Sequence, residues 1–360
     1  MTRMNHWRVI DTGLRPAAQN IALNRALLEA RQAEEIPSTL RFLRFTPSAL
    51  LGYHQSAEQE LNLDYCREQG ITVQRRITGG GAIYFDETQI GWELYLHKRD
   101  LGTADMQVIS QRICNAAAAA ISALGVDARF RPRNDIEVDG RKISGTGGAF
   151  DGDALMFQGT LLIEFDVEKM LRVLRISAEK LSDKAIASAR DRVANLKDLL
   201  GQRPDAEVIR RNMVEAFESE FGVEFSDGDL TLSEDQRYQA ALSEIDHPDW
   251  VGLINRPVAD MPILEGAQKF AGGLLRAAVT FDKATRTLRQ VWFTGDFFIN
   301  PRRTVADLEA ALRDLPLDRL EQKVDAFFAG RPVDMLTLKP ADFVAVVQLA
   351  LKQPLLAANS

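Results

Sequence analysis

The chain is short of several things, and each shortage removes a class of function. Only two cysteines, Cys66 and Cys114, occur in 360 residues. They lie far apart, which argues against a disulfide framework or a zinc cluster and suits a reducing compartment, so a cytoplasmic protein is expected. Histidine is nearly as scarce. His6, His54, His97 and His247 are scattered, and none stands with serine or cysteine in a nucleophile pattern, which disfavours an imidazole-based triad. Long apolar runs are missing. The most apolar helical stretch, 113–124, is alanine-rich and shorter than the roughly 20 residues a membrane helix needs. Arg3, His6 and Arg8 at the start come without an apolar run, so neither a signal peptide nor a membrane partner is expected. Basic charge is not in excess: 44 basic and 51 acidic residues leave a net charge of −7. A nucleic-acid partner is therefore not expected, because displacing counterions from phosphates takes a basic surface. Internal repeats and low-complexity segments are absent as well.

What is present reads as globular. Hydrophobic residues make up 46% and charged residues 26%, enough for a sizeable core. The length suits two domains. Leu23, Leu27 and Leu28 on one face predict a helix over 20–33. Strands are expected at 40–45, 50–53, 71–75, 82–85 and 90–96. Helices are expected at 60–69 and 106–124, each closed by a glycine, Gly70 and Gly125. A strand-rich stretch follows, with Asp139-Gly140 as a hairpin turn between 135–138 and a return strand from Lys142. A long strand at 155–165 precedes helices between 167 and 221. Pro248, Pro257 and Pro262 mark a boundary, dividing the chain into 1–246 and 247–360. Beyond it, paired strands at 273–281 and 287–293 are followed by helices at 305–312, 320–328 and 341–351. Both parts read as α+β.

Four segments stand out. In Arg75-Arg76-Ile77-Thr78-Gly79-Gly80-Gly81-Ala82-Ile83-Tyr84, a basic pair, a hydroxyl and three glycines lie between two strands. Glycine lets backbone N–H groups converge on an anion, and arginine adds a fork suited to phosphate or carboxylate. The structural alternative is a hinge that merely needs glycine. The second segment runs from Asn134 to Gly148. Lys142 directly follows the hairpin turn, where alternation aims it toward one sheet face and Ile143 toward the other. A lysine so directed could hold a phosphate and a carboxylate together; a snorkelling surface lysine is the alternative. Asp135, at the far end of the hairpin, could orient Lys142 or a substrate amine. In the third segment, Gln158, Gly159 and Thr160 interrupt an apolar strand, a sign of close approach by a ligand, by another backbone, or of a bulge. The fourth, Phe293 to Phe298, reads as a packed turn.

In this order the segments resemble the lipoate–protein ligase family, within the wider biotin/lipoate ligase fold. Arg75-Arg76-x-Thr78-Gly79-Gly80-Gly81-Ala82 looks like that family's adenylate loop. Asn134-Asp135-Ile136 with Gly140-Arg141-Lys142-Ile143-Ser144-Gly145 looks like its lysine hairpin. Gly159-Thr160-Leu161-Leu162 resembles its pocket-closing strand, Arg192-Val193-x-Asn195-Leu196 a later helix motif, and Gly272 to Phe298 its accessory domain. The resemblance implies a mixed, mostly antiparallel sheet with flanking helices and a smaller α+β C-terminal domain. It implies ATP with Mg2+, lipoate as the acid, and a lipoyl carrier protein as acceptor. Lys142 would contact the lipoyl carbonyl and the α-phosphate. Arg76, Thr78 and the backbone of Gly79, Gly80, Gly81, Ala82, Ile83 and Tyr84 would hold the adenylate, with Asp135, Gly145, Thr146, Gln158, Gly159 and Thr160 lining the substrate site; no metal ligand is assigned. The chain departs from the family pattern at Phe85 and Gln158, where histidine is common, at Gln89, where asparagine is common, and at Gly147-Gly148, which points to a divergent branch. An octanoyl- or lipoyl-transferase of the same fold, a biotin–protein ligase and a non-enzymatic binder are the rivals. The transferase branch with this lysine hairpin carries its cysteine shortly before the hairpin, where 128–134 holds none.

Overall fold

The computed structural model describes residues 5–132, 134–175, 183–255, 259–335 and 337–352; Pro257 and positions 176–182 of the expected helical region lie outside them. The chain forms two compact units. The first takes the chain to Leu50, Leu61–Gln74 and Ile83–Trp250. The second takes Leu51–Glu60, Arg75–Ala82 and the chain from Val251. The C-terminal unit therefore includes two short stretches from the N-terminal part of the sequence, one of them the glycine run.

Strands of the first unit are β1 (Asn5–Arg15), β2 (Thr39–Phe45), β3 (Ser48–Leu51), β4 (Thr72–Arg75), β5 (Ile83–Phe85), β6 (Gln89–His97), β7 (Ala128–Arg131), β8 (Asp135–Val138), β9 (Arg141–Asp151), β10 (Ala154–Leu162) and β11 (Val223–Asp227). Eight of them form one sheet in the order β11-β1-β2-β6-β10-β9-β8-β7, and β4-β3-β5 form a small one. In the large sheet β1 runs parallel to β2 and β11, and the other neighbours are antiparallel. The parallel β1–β2 step is made possible by the helix Ala17–Gln32 between them.

Alternation sorts the sheet into two faces. Trp7, Val9, Leu40, Phe42, Trp92, Leu94, Ile136, Ile143, Leu155 and Phe157 form one core, packed against the helices Met106–Ser122 and Ala206–Phe221. The first of these helices starts at Asp105, whose carboxylate accepts the Gln107 and Val108 N–H groups, and its buried alanines allow close packing. On the other face, helix Ala17–Gln32 brings Asn20 and Asn24 onto a buried polar cluster. Arg41 pairs with Glu93 at 3.0 Å and donates to Asn20; Glu93 also accepts from Asn24 and the Tyr95 hydroxyl. Removing one charge of such a buried pair costs about 3–5 kcal/mol.

In the second unit, β12 (Ile263–Phe270), β13 (Gly273–Asp282), β14 (Thr287–Gly295) and β15 (Leu315–Pro316) form an antiparallel sheet. Helices Thr304–Ala311, Leu320–Phe328 and Pro340–Lys352 cover it over a core of Leu275, Val279, Phe293, Phe297, Leu308, Val324 and Phe343. Gly266 is needed for that packing: a Cβ there would stand 2.6 Å from the Ala350 nitrogen. Glu309 accepts the Phe293 N–H at 2.7 Å, and burial pushes its carboxyl up to about 7.

Strands β1, β11, β12 and β15 and the helix Leu232–Ile245 were not anticipated from the sequence. The anticipated elements otherwise lie within a few residues of their places, and the whole is α+β with a mostly antiparallel main sheet.

Candidate active site

The lysine hairpin belongs to the first unit. Asp139 and Gly140 both have positive φ, 51° and 74°, the geometry of a two-residue hairpin turn that Asp-Gly favours. The ladder returns from Val138 to Arg141 and then slips by one residue, between Glu137 opposite Lys142 and Ile136 opposite Ser144. The extra residue is Ile143, which is fully buried in the core. The slip brings Lys142 to the same side as Gly145. A Cβ on Gly145 would lie 2.8 Å from the Lys142 Nζ, so glycine there makes room for the ammonium group. The Lys142 ammonium pairs with Asp135 Oδ1 at 2.8 Å, and Arg131 binds Asp135 Oδ2 at 2.6 Å. About 40% of the lysine side chain stays exposed. Thr160 accepts the Gly145 N–H at 3.2 Å, completing a cluster of Lys142, Asp135, Gly145 and Thr160.

Other expected residues of this unit have local tasks. Thr146 turns the other way: its hydroxyl donates to the Asn134 carbonyl and touches Cys114 Sγ at 3.3 Å. Gly159 faces Trp92, whose indole lies 2.2 Å from where a Cβ would be. Its lack of a side chain makes room for that indole in the core. Gln158 lies opposite Gly147 and Glu93 and is half-buried. Phe85 packs on Phe45, ring centroids 4.7 Å apart. The Tyr84 hydroxyl donates to Asp86, which also accepts the Thr88 N–H and hydroxyl. Burial and that carboxylate push the Tyr84 hydroxyl's pKa well up. Asp86 was missed in the sequence, although Asp-x-Thr after a strand is a recognisable side-chain turn.

The glycine run belongs to the second unit. Arg76 is 7% exposed and donates to the Gly79 and Gly81 carbonyls at 3.0 and 2.9 Å. Burial lowers its pKa to about 10. Arg76 therefore shapes the loop from inside. The Gly80 N–H donates to the Phe297 carbonyl, and the Phe298 ring lies 3.0 Å from a Cβ placed on Gly80, which sits at φ 89°. Thr78 is buried, and its carbonyl accepts the Tyr53 N–H. Ala82 is half-buried at the end of the run. Arg75 donates to the carbonyls of Gly52, Tyr53, Gln55 and Val251. His54 stacks on Phe297 at 4.9 Å, and burial lowers its pKa to about 3. The Phe293–Phe298 segment, expected to be a packed turn, instead ends strand β14 at Gly295 and leaves it with Phe297 buried in the core.

Both thiols are enclosed. Cys114 is 0% exposed and Cys66 1%. Burial pushes the Cys114 thiol up to about 11 and raises that of Cys66. Among the described residues no group of three or more His, Cys, Asp or Glu is placed to hold a metal, and no helix is long and apolar enough to cross a membrane.

Comparison with known proteins gives this geometry a family. The lipoyl protein ligase A/B catalytic domain matches residues 16–218, more than half of the chain. The chain belongs to the lipoyl protein ligase A/B family. The family match takes in both the glycine run and the lysine hairpin. Within this family, the octanoyltransferase LipM of Moorella thermoacetica is 26% identical over 265 residues, covering 68% of this chain and 97% of the relative. Lipoate–protein ligase 1 of Staphylococcus aureus is 29% identical over 294 residues, covering 81% and 85%. A solved bi-partite lipoate protein ligase of Thermoplasma acidophilum, studied with its E2 lipoyl domain, superposes with a TM-score of 0.62 at 27% identity, covering 71% of this chain and all of that one. Lipoyl protein ligase A/B relatives thus include ligases and octanoyltransferases, and the choice between the two activities turns on the nucleophile.

Proposed function

We propose that the chain is an ATP-dependent lipoate–protein ligase. The observation that carries this reading over a transferase is the state of its two thiols. Thioester exchange needs an accessible thiolate, and both cysteines are enclosed, with thiols raised by burial. A ligase needs a fixed cation instead, and Lys142 offers a half-exposed ammonium on a sheet strand.

The lipoate carboxylate attacks the α-phosphorus of ATP, the bond to pyrophosphate breaks, and a lipoyl adenylate forms. The Lys142 ammonium binds the lipoyl carbonyl and the α-phosphate and offsets the charge that gathers there. The glycine run, shaped by Arg76, supplies backbone N–H groups other than that of Gly80, which the Phe297 carbonyl holds, for the nucleotide's phosphate. Mg2+ brought by the triphosphate would share its charge, with no ligand for it assigned on this chain. In the second half-reaction a lysine amine of a lipoyl carrier protein attacks the carbonyl carbon, the bond to AMP breaks, and an amide forms. Acid recognition rests on an apolar slot, each buried CH2 contributing about 0.8 kcal/mol. In this reading residues 1–246 carry the chemistry and 247–360 are accessory.

Incubation with ATP, magnesium and lipoate, followed by mass spectrometry, is expected to yield lipoyl-AMP and pyrophosphate. The Cys66→Ser/Cys114→Ser double variant should keep that activity within about two-fold, since no thiol takes part. Failure to form an adenylate, with octanoyl transfer from a carrier thioester that disappears in the double variant, would establish the transferase instead.

A further inference from the structure

One sequence motif is left without a task by the reaction above: Arg192-Val193-Ala194-Asn195. Strand β9 has β8 on one side throughout the hairpin, but β10 joins its other side only from Thr146 onward. At Lys142 that second edge is taken by the motif. The Lys142 N–H donates to the Arg192 carbonyl at 2.8 Å, and the Ala194 N–H donates to the Lys142 carbonyl at 2.8 Å. Lys142 and Val193 thus form a parallel bridge of a single residue pair. Both main-chain groups of the lysine are thus bonded to this strap.

Asn195 ties the strap down. It stands at the N-cap of the helix Leu196–Leu200, where an asparagine side chain ordinarily accepts an N–H from the first turn. Here it makes no such bond. Its Oδ1 accepts the Phe165 N–H at 2.8 Å and its Nδ2 donates to the Phe165 carbonyl at 3.1 Å, so one side chain satisfies both main-chain groups of a residue thirty positions away. The Lys197 N–H reinforces the anchorage by donating to the Ile163 carbonyl. Ile163 and Glu164 in turn donate to the Thr88 carbonyl, and Thr88 is bonded to Asp86, the carboxylate that receives the Tyr84 hydroxyl. A continuous hydrogen-bonded frame inside the first unit therefore runs from the Lys142 backbone to the Tyr84 side chain.

We propose that Asn195 is a positioning residue. Through the strap Arg192–Ala194 it fixes the backbone of Lys142 relative to the Tyr84 strand, and so fixes where the ammonium stands when the acid and nucleotide meet. This rests on the ligase reading of Lys142. The ammonium stands at the end of a long side chain, so its aim depends on the anchorage of the main chain beneath it as well as on its pairing with Asp135. A misplacement of about 1 Å in a reacting group can cost on the order of a hundred-fold in rate.

The test uses the full chain with ATP, magnesium and lipoate. Asn195→Ala should lower kcat for adenylate formation about ten- to a hundred-fold, with KM for ATP nearly unchanged. The exchange of the Lys142 amide with deuterium should speed up in the same variant while the core of the first unit stays protected. In a Lys142→Ala background, adding Asn195→Ala should cost no further activity, because its effect passes through the lysine. Unchanged kcat in Asn195→Ala, or additive losses in the double variant, would overturn the proposal. Should Asn195→Ala fail to fold, the unaltered protein still decides: a Lys142 amide that exchanges as fast as those of the Asp139-Gly140 turn means the strap does not hold. Full activity of Lys142→Ala would instead sink the role given to Lys142, and absence of adenylate formation by the unaltered protein would sink the ligase reading, both separate outcomes from any result on the strap.

Discussion

Lys142 and Arg76 are the two cations that the sequence aims at an acyl adenylate, and the protein holds them in opposite ways. Lys142 projects from a sheet strand, half-exposed, with Asp135 as its carboxylate partner. Arg76 is buried and bonded to the carbonyls of its own loop. A flexible ammonium is a movable point charge; a guanidinium fork is a rigid bracket. The lesson is that basic residues in one functional motif divide into those that meet a ligand and those that build the surface that meets it.

Three measurements would sharpen or break that contrast. The largest effect is expected from Lys142→Ala: a loss of about a hundred- to a thousand-fold in adenylate formation, the cost of deleting one preorganised charge-stabilising donor, without a change in melting temperature. Arg76→Ala should be smaller in rate, about ten-fold or somewhat more, but should also destabilise the second unit, because buried carbonyls left without a donor cost about 1–3 kcal/mol. If calorimetry finds both variants equally stable, the division between meeting and building fails. The smallest effect concerns Glu309, a half-buried carboxyl of the second unit. Its folded pKa, about 7, lies above the ordinary 4.5. Between these values the folded chain keeps a proton that the unfolded chain releases, so stability falls as pH rises from 4.5 to 7 and is level above. Glu309→Gln keeps an acceptor for Phe293 N–H and should remove that slope, adding on the order of 1–2 kcal/mol at pH 8 after allowing for partial exposure. Parallel denaturation curves for both proteins at pH 4.5 and 8 would contradict it.

The hairpin was legible because it is local: Asp139-Gly140 can form the turn wherever it sits, and Lys142 follows at a fixed offset. The glycine run was legible as a loop for the same reason. Strand β1 was not, since its neighbour β11 lies more than 200 residues away and its apolar residues alternate with Arg8 and Asp11 before a kink at Gly13. The direction in which Arg76 points was hidden because two of its partners are the carbonyls of Gly79 and Gly81, and every residue has a carbonyl. Gly159 invited a ligand in sequence terms, yet the bulky neighbour it admits, Trp92, comes from a strand far away in the chain. The slip at Ile143 was equally invisible. Simple alternation separates Lys142 from Gly145, and one inserted residue reunites them.

The composition of the second unit bears on where this polypeptide can be cut. A version ending after Trp250 would keep every position of the family match. It would also lose the Phe297 carbonyl from Gly80, the Phe298 ring beside it, and the Val251 carbonyl from Arg75. An organism encoding the two pieces on separate genes would have to reunite them before the glycine run could adopt this shape, so co-expression rather than truncation is the way to study the halves.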